Sequence, residues 1–312
     1  MFIFIIPSLF FGWALGANDA ANVFGPPVSS KLIKLRYAIV LSSIFIIVGA
    51  LTQGQNGMET MKAISSGSLA SNSIAVLAAA ITMTIMINLR IPVSSSQAII
   101  GSITGLNLIT NTDLNWPMLL KVVLAWVGTP LGGFFFGFVL YRFIKPFYKK
   151  IKSPIIQDRV LKILVVLIGC YGSYALGANN VANITGVFAV HTGMMNALLI
   201  GSLSIAAGVL TYSRKTMLSF GKGISNYDYF SSSVVILAES LTVWVYAFIG
   251  IPVSTSQAVI GATIGTGIGA GNVQINKKQI LKIVIAWVNT PISSGLIAVA
   301  LFLLLKSFGL AI

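Results

Sequence analysis

The sequence is organised around Gly16-Ala-Asn18-Asp19-Ala-Ala-Asn22-Val-Phe-Gly25, a polar stretch bounded by two glycines in an otherwise apolar N-terminal segment. A near copy, Gly177-Ala-Asn179-Asn180-Val-Ala-Asn183-Ile-Thr-Gly186, follows 161 residues later. An ionised carboxylate inside a membrane span costs at least about 3 kcal/mol unless it has a partner. The two stretches therefore predict two related halves whose polar breaks meet at a functional site.

The composition of the chain predicts an all-α polytopic membrane protein. Hydrophobic residues make up 56% of the 312 residues, charged residues make up 8%, and the mean hydropathy is +0.93. Several apolar segments reach the roughly 20 residues that are needed to cross a bilayer. Five segments can be marked in each half, at residues 2–28, 37–53, 69–89, 92–110 and 117–141, and at 160–188, 195–212, 230–249, 252–271 and 279–305.

Two further motifs recur in the same order. The stretch Ile91-Pro-Val-Ser-Ser-Ser-Gln97-Ala-Ile-Ile-Gly101 is identical at nine of eleven positions to Ile251-Pro-Val-Ser-Thr-Ser-Gln257-Ala-Val-Ile-Gly261. Likewise, Ala125-Trp-Val-Gly-Thr-Pro130 returns as Ala286-Trp-Val-Asn-Thr-Pro291. Recurrence at a nearly constant spacing indicates an internal repeat. We therefore predict a first repeat at residues 1–145, a basic linker at 146–159 and a second repeat at 160–312.

The distribution of basic residues predicts the orientation in the membrane. Five crossings per half would insert the second repeat upside down relative to the first. With the N-terminus outside, 17 of the 20 Lys and Arg residues fall in inside loops, which is a strong positive-inside bias. We predict a multi-pass protein of the cell membrane with both termini outside and the linker 146–159 in the cytoplasm.

The segments at 92–110 and 252–271 leave a second topology open. Each begins with proline and hydroxyl residues and then reaches several glycines, as broken or re-entrant helices do. A purely re-entrant segment would move the basic linker outside, so the distribution of charge favours a net crossing. The lipid bilayer is the expected surrounding in either case.

The same two turns predict an anion site. Proline is favoured in the first turn of a helix, where free N–H groups would lie beside the hydroxyls. Helix N-termini of this kind bind tetrahedral oxyanions, and two related half-helices could donate from opposite sides. The candidate substrate-binding residues are Ser94, Ser95, Ser96, Gln97, Ser254, Thr255, Ser256 and Gln257.

Two acidic residues, Asp19 and Glu239, fall within apolar segments, and no Lys or Arg lies in the middle of any span. Hard oxygen ligands suit Na⁺, and a carboxylate can also carry a proton. A divalent anion beside Asp19 would need a bound cation, because like charges repel strongly in a low dielectric. We therefore expect coupling to Na⁺ or H⁺, and no other cofactor.

Other classes of protein fit the sequence less well. A nucleic-acid-binding protein would need a basic face in water, whereas the net charge of +14 falls between apolar segments. An enzyme would need a nucleophile with a base or a metal cluster, and no such motif is present. A channel would need a continuous polar lining. We interpret two Thr-Pro pairs as kinks or hinges of their helices, namely Thr129, Pro130, Thr290 and Pro291.

The two motif types, each present twice, resemble the signatures of the inorganic phosphate transporter (PiT) family. The resemblance covers nearly the whole chain. It implies a secondary transporter with inverted repeats that imports phosphate with Na⁺ or H⁺, and some members carry sulfate. It also implies that Glu239 is the second-half glutamate of the family. The positions that it implies for coupling-ion and substrate binding, and as the Na⁺ ligands, are Asp19, Asn22, Asn180 and Asn183.

The chain departs from the family pattern in several places. Asn180 stands where the second-half motif usually has Asp, and residues 38–51 contain no glutamate. Gln97 and Gln257 stand where many members have His, and the large central domain is reduced to the linker. We predict a Na⁺-coupled phosphate symporter that works by alternating access. The alternatives are a sulfate permease and an H⁺-coupled phosphate carrier, and a homodimer is compatible with the sequence.

Overall fold

The computed structural model describes residues 2–29, 31–65, 67–89, 91, 93–220, 228–271 and 277–309. This part of the chain is helical and contains no strand. The first half consists of α1 (Phe2–Ser29), α2 (Leu35–Gln53), α3 (Gln55–Ile64), α4 (Leu69–Asn88), α5 (Ser95–Thr110) and α6 (Trp116–Lys149). The second half consists of α7 (Pro154–Thr185), α8 (Ala189–Thr192), α9 (Met194–Phe220), α10 (Tyr229–Ile249), α11 (Thr255–Ala270) and α12 (Lys277–Ser307).

Each of the ten predicted segments corresponds to one of these helices, and the all-α membrane fold is confirmed. Within the described ranges, eight helices are long and apolar enough to cross a membrane, namely α1, α2, α4, α6, α7, α9, α10 and α12. The short helices α3 and α8 were not predicted. Helix α3 has a low apolar content, and α8 has only four residues.

Helices α5 and α11 are too short to span a bilayer. Each has 16 residues, which is about 24 Å of helix against a hydrocarbon core of roughly 30 Å. Each helix is preceded by non-helical residues, and those before α11 are 251–254. The predicted segments 92–110 and 252–271 are therefore broken segments with a helical second part.

The expectation that proline occupies the first helical turn of these segments was wrong. Pro252 lies two residues before the N-cap of α11, which is Ser254, and Pro92 lies outside the described residues. The helices begin later because serine hydroxyls cap them. Ser254 Oγ accepts from Gln257 N at 3.3 Å, and Ser94 Oγ accepts from Gln97 N at the same distance. Such caps satisfy one of the free N–H groups at a helix start.

The two halves contact each other through pairs of packed helices, and each pair contains one helix from each half. Helix α1 packs along α9, α2 along α7, α5 along α12, and α6 along α11. The glycines that open the polar stretches lie at these crossings: a methyl group on Gly16 would overlap the carbonyl oxygen of Ile205, and one on Gly177 would overlap that of Ile46. Membrane helices approach this closely only through small residues.

The first helices of the two repeats, α1 and α7, run in opposite directions. Near the end of α1, Phe24 packs against Gly169 in the middle of α7. Near the start of α1, Gly12 lies beside Ile184 at the end of α7. This arrangement supports the predicted inversion of the second repeat.

The Thr-Pro pairs lie within the continuous helices α6 and α12, at the points where the short helices α11 and α5 pack against them. Thr129 Oγ1 donates to Ala125 O at 2.6 Å in α6, and Thr290 Oγ1 donates to Ala286 O at 2.7 Å in α12. The carbonyl groups of Pro130 and Pro291 face Gly261 of α11 and Gly101 of α5, respectively. The pairs are thus packing sites, and their role as hinges stays a prediction.

We expect Gly177→Ala to destabilise the protein by about 1–3 kcal/mol, because the added methyl group forces α7 away from the backbone of α2. Thermal unfolding of the purified protein in detergent measures this as a lower midpoint. Ile44→Ala is the control, since Ile44 lies on the outer face of α2 and is 50% exposed. Equal midpoints for the two variants would contradict the close crossing of α2 and α7.

Candidate functional site

The first polar stretch meets the start of α11. Thr255 Oγ1 donates to Asp19 Oδ2 at 3.3 Å and accepts from Asn22 Nδ2 at 3.4 Å. Asn18 Nδ2 donates to Asp19 Oδ1 at 2.9 Å. Asp19, Asn22 and Thr255 are buried and are called the Asp19 cluster below. In this cluster a carboxylate from one half is held by a hydroxyl group from the other half.

The second polar stretch meets the start of α5 in the equivalent way. Ser95 Oγ donates to Asn180 Oδ1 at 3.4 Å, and Asn183 Nδ2 donates to the same oxygen at 3.1 Å. Asn180, Asn183 and Ser95 are all buried and are called the Asn180 cluster. Ser95 is the repeat counterpart of Thr255, and Asn180 is that of Asp19. The two clusters are therefore related by the repeat, except that only one of them contains a carboxylate.

The first turn of α11 contacts the non-helical residues before α5. Ser256 Oγ donates to Val93 O at 3.4 Å, across the boundary between the halves. At the start of each helix, the first and third residues of the hydroxyl run are hydrogen bonded to each other. Ser94 Oγ is 3.1 Å from Ser96 Oγ at the start of α5, and Ser254 Oγ is 2.9 Å from Ser256 Oγ at the start of α11. Two capped helix N-termini thus lie side by side, and both are suited to an anion through their free N–H groups and dipoles.

Several buried polar atoms at this site have no hydrogen-bond partner. Four are oxygens of carboxamide or carboxylate groups, which accept hydrogen bonds or coordinate a cation. One is a carboxamide nitrogen, which can only donate. In the part of the chain that the structure describes, these atoms are Gln97 Oε1, Gln257 Oε1, Asn183 Oδ1, Glu239 Oε2 and Asn180 Nδ2. Leaving a buried polar group unpaired costs about 1–3 kcal/mol, so a cluster of such atoms indicates a ligand.

No protein cation balances the two buried acids. Asp19 and Glu239 are 5% and 2% exposed, and no Lys, Arg or His is buried among the described residues. Over the same residues, the one salt bridge joins Lys162 to Asp158 at the exposed start of α7. Among the described residues, no basic side chain therefore supplies a positive charge to the two acids.

Sequence reasoning missed the part played by Asn179. Its Nδ2 donates to Val253 O at 2.8 Å, and Val253 N donates to its Oδ1 at 3.0 Å, so one carboxamide satisfies both backbone groups of a residue in the turn before α11. Its counterpart Asn18 is less buried and, within the described part of the chain, bonds only Asp19. The recurrence of Gly-Ala-Asn in both stretches was the signal that could have identified it.

A polar site enclosed between two repeats of a multi-pass helical protein is the arrangement of a secondary transporter. The sequence model of the phosphate transporter family matches the chain twice, at residues 15–160 and 148–298. The chain belongs to this family. The predicted two-repeat architecture and the prediction of a transporter rather than an enzyme are thereby confirmed.

Individual relatives cover almost the whole chain. A provisionally named phosphate permease of Pyrococcus furiosus is 27% identical over 97% of this chain and 95% of its own length. A sulfate permease of Bacillus subtilis is 28% identical over 96% of this chain and 87% of its own length. The solved structure of a sodium-dependent phosphate transporter has the same fold, with a TM-score of 0.84, 24% identity and coverage of 98% and 99% of the two chains.

We expect Asn179→Ala to lower the unfolding midpoint more than Asn18→Ala does. The first change leaves two buried backbone groups of Val253 without partners, at about 1–3 kcal/mol each, whereas the second removes one side-chain hydrogen bond. Thermal unfolding in detergent compares the two variants directly. A smaller loss for Asn179→Ala would show that its bonds to Val253 contribute little.

Proposed function

We propose that the chain imports inorganic phosphate with Na⁺ as a symporter, by alternating access of a site between the two repeats. The observation that carries this proposal is the buried carboxylate of Asp19, which is held by Thr255 from the other half and has no buried basic side chain beside it among the described residues. Membership of the phosphate transporter family supports phosphate as the substrate. The sodium dependence of the solved relative supports Na⁺ as the coupling ion.

The Asp19 cluster has the chemistry of a Na⁺ site. It supplies carboxylate, carboxamide and hydroxyl oxygens, which are hard ligands for such an ion. Asp19 Oδ2 is 3.3 Å from Thr255 Oγ1, so a cation bound there would touch both halves at once. Glu239 adds a buried oxygen without a partner. A bound Na⁺ would neutralise the carboxylate and draw α1 and α11 together.

The paired N-termini of α5 and α11 have the chemistry of the anion site. They present serine hydroxyls and the first backbone N–H groups of two helices, with no carboxylate in either turn. The anion and the cation would lie close together, because Thr255 belongs to both the α11 turn and the Asp19 cluster. Each ion would then lower the electrostatic penalty of the other, which is the physical basis of coupled transport.

A sulfate permease is the second candidate, because a sulfate permease of Bacillus subtilis aligns with 96% of the chain. The two anions differ in one respect that matters here. Phosphate near neutral pH carries a hydroxyl that can donate a hydrogen bond, whereas sulfate carries none. The unpartnered oxygens Gln97 Oε1 and Gln257 Oε1 offer acceptors for such a donor, and this favours phosphate.

For the orientation we propose external termini and a cytoplasmic linker. Tyr148, beside the linker, stacks on Phe230 at the start of α10 with 4.6 Å between ring centroids. At the other end of α10, Thr60 Oγ1 donates to Gly250 O at 2.6 Å, next to the connection between α2 and α4. The linker thus lies near the start of α10, and the connection between α2 and α4 lies near the end of α10, as expected if each pair is on one side of the membrane. The distribution of Lys and Arg favours the cytoplasm for the side that contains the linker.

Uptake by reconstituted liposomes tests the proposal. Labelled phosphate and labelled sulfate are each offered under an inward Na⁺ gradient or an inward H⁺ gradient. We expect phosphate uptake that requires the Na⁺ gradient. Sulfate uptake alone would favour the second candidate, and phosphate uptake that ignores both gradients would contradict coupling.

Asp19→Asn should abolish Na⁺-driven uptake, because the amide removes the charge that attracts the cation while keeping the shape of the side chain. Glu59→Gln is the matched control, since Glu59 is an exposed acid on α3. Size-exclusion chromatography verifies that both variants fold. Wild-type uptake by Asp19→Asn would remove Asp19 from the mechanism.

Glu239→Gln should raise the Na⁺ concentration that gives half-maximal uptake, because it removes the second buried acid of the site. The same liposome assay, run over a range of Na⁺ concentrations, measures the change. If the Na⁺ dependence is that of the wild type, Glu239 has no part in coupling.

A further inference from the structure

The side chain of Asn180 is held by hydrogen bonds to its oxygen only. Asn180 Oδ1 accepts from Asn183 Nδ2 at 3.1 Å, from Asn179 Nδ2 at 3.2 Å and from Ser95 Oγ at 3.4 Å. Its other polar atom, Nδ2, has no partner, and the residue is completely buried. The oxygen is thus saturated, whereas the nitrogen still needs an acceptor.

The backbone of Val253 determines this orientation. Val253 N donates to Asn179 Oδ1 and Val253 O accepts from Asn179 Nδ2, so the carboxamide of Asn179 has one orientation that satisfies both groups. Asn179 therefore presents a donor to Asn180. If the carboxamide of Asn180 were reversed, its N–H group would face the N–H group of Asn179, which is unfavourable.

The oxygen atom of Asn180 does not suit a cation. The oxygen of Asn180 is surrounded by three hydrogen-bond donors, whose positive ends would repel a metal ion. The Asn180 cluster also lacks an acid from α4, because the repeat counterpart of Glu239 is Ala79, which is buried. The oxygen that the cluster leaves for a cation is Asn183 Oδ1, and no carboxylate of the cluster adds negative charge beside it. An anion can accept from the free N–H group of Asn180, and no carboxylate of this cluster repels it.

The free nitrogen lies at the start of α5. It belongs to the same carboxamide as Oδ1, which bonds Ser95 in the first turn of that helix. The N-terminus of a helix favours an anion through its dipole and its unpaired N–H groups. Asn180 Nδ2 and the α5 turn therefore form one set of donors.

We propose that Asn180 donates a hydrogen bond from Nδ2 to the transported oxyanion, and that the Asn180 cluster is part of the anion site rather than a cation site. This inference rests on the proposed function, and it narrows the role that family resemblance gives to Asn180, from coupling-ion and substrate binding to anion binding alone. The two related clusters then have different tasks. The Asp19 cluster binds the cation, and the Asn180 cluster binds the anion.

Two variants in the liposome assay test this assignment. Asn180→Ala removes the donor, and we expect the phosphate concentration for half-maximal uptake to rise about tenfold, with the Na⁺ dependence measured at saturating phosphate unchanged. Asn180→Asp has nearly the same shape but replaces the donor by a negative charge, so the rise should be larger. Asn196→Ala, at an exposed position of α9, is the control and should behave as the wild type.

A cation-binding role for Asn180 would give the opposite pattern. Asn180→Asp would then lower the half-maximal Na⁺ concentration and leave the phosphate dependence unchanged, and either result would overturn the inference. Thermal stabilisation of the purified proteins by phosphate and by sulfate gives a second measurement, without Na⁺ gradients. If the wild type is stabilised by neither anion and takes up neither, the proposed function fails as well. If the wild type and Asn180→Ala are stabilised equally, only the inference about Asn180 fails.

Discussion

Two hydroxyl groups join the halves of this transporter at its centre: Thr255 donates to Asp19, and Ser95 donates to Asn180. Each hydroxyl belongs to the first turn of a half-helix. Because lipid offers no hydrogen bonds, a helix can begin inside a membrane only where protein or bound ligand satisfies its end. The caps Ser94 and Ser254 meet part of this requirement for α5 and α11, and Asn179 in the polar stretch of α7 bonds both backbone groups of Val253 just before α11. The broken helices and the polar stretches therefore depend on each other.

The tight crossings of helices from opposite halves bring the two clusters to one place. Gly16 and Gly177 allow α1 and α7 to contact the backbones of α9 and α2, respectively. In the same way, Gly101 and Gly261 allow α5 and α11 to contact the backbone at Pro291 of α12 and at Pro130 of α6. The repeat fixes the positions of the residues but not their chemistry. A carboxylate occupies one cluster, and a carboxamide with a free donor occupies the other. This difference is the basis of our proposal that a cation and an anion bind side by side, in a site that contains no basic side chain among the described residues.

Much of this could be predicted from the sequence, because the repeated motifs are identical or nearly so. They predicted the ten helical segments, which the structure bears out. The contacts of the polar stretches with the hydroxyl residues, Asp19 with Thr255 and Asn180 with Ser95, are seen in the structure and were not predicted. The rest depends on three-dimensional hydrogen bonding. Serine caps, not prolines, define where α5 and α11 begin. The orientation of the Asn180 carboxamide depends on Asn179, whose own orientation is determined by Val253, 74 residues further along the chain and in contact with Asn179 only after folding.

The most direct test of the central claim is the position of a bound anion. Arsenate has the shape and charge of phosphate, and arsenic scatters X-rays anomalously, so crystals of the protein grown with Na⁺ and arsenate would locate the ion without ambiguity. We expect an anomalous peak between the N-termini of α5 and α11, within hydrogen-bond distance of Asn180 Nδ2. A peak beside the basic linker at 146–159, or one in contact with the Asp19 carboxylate and remote from both helix starts, would contradict this claim.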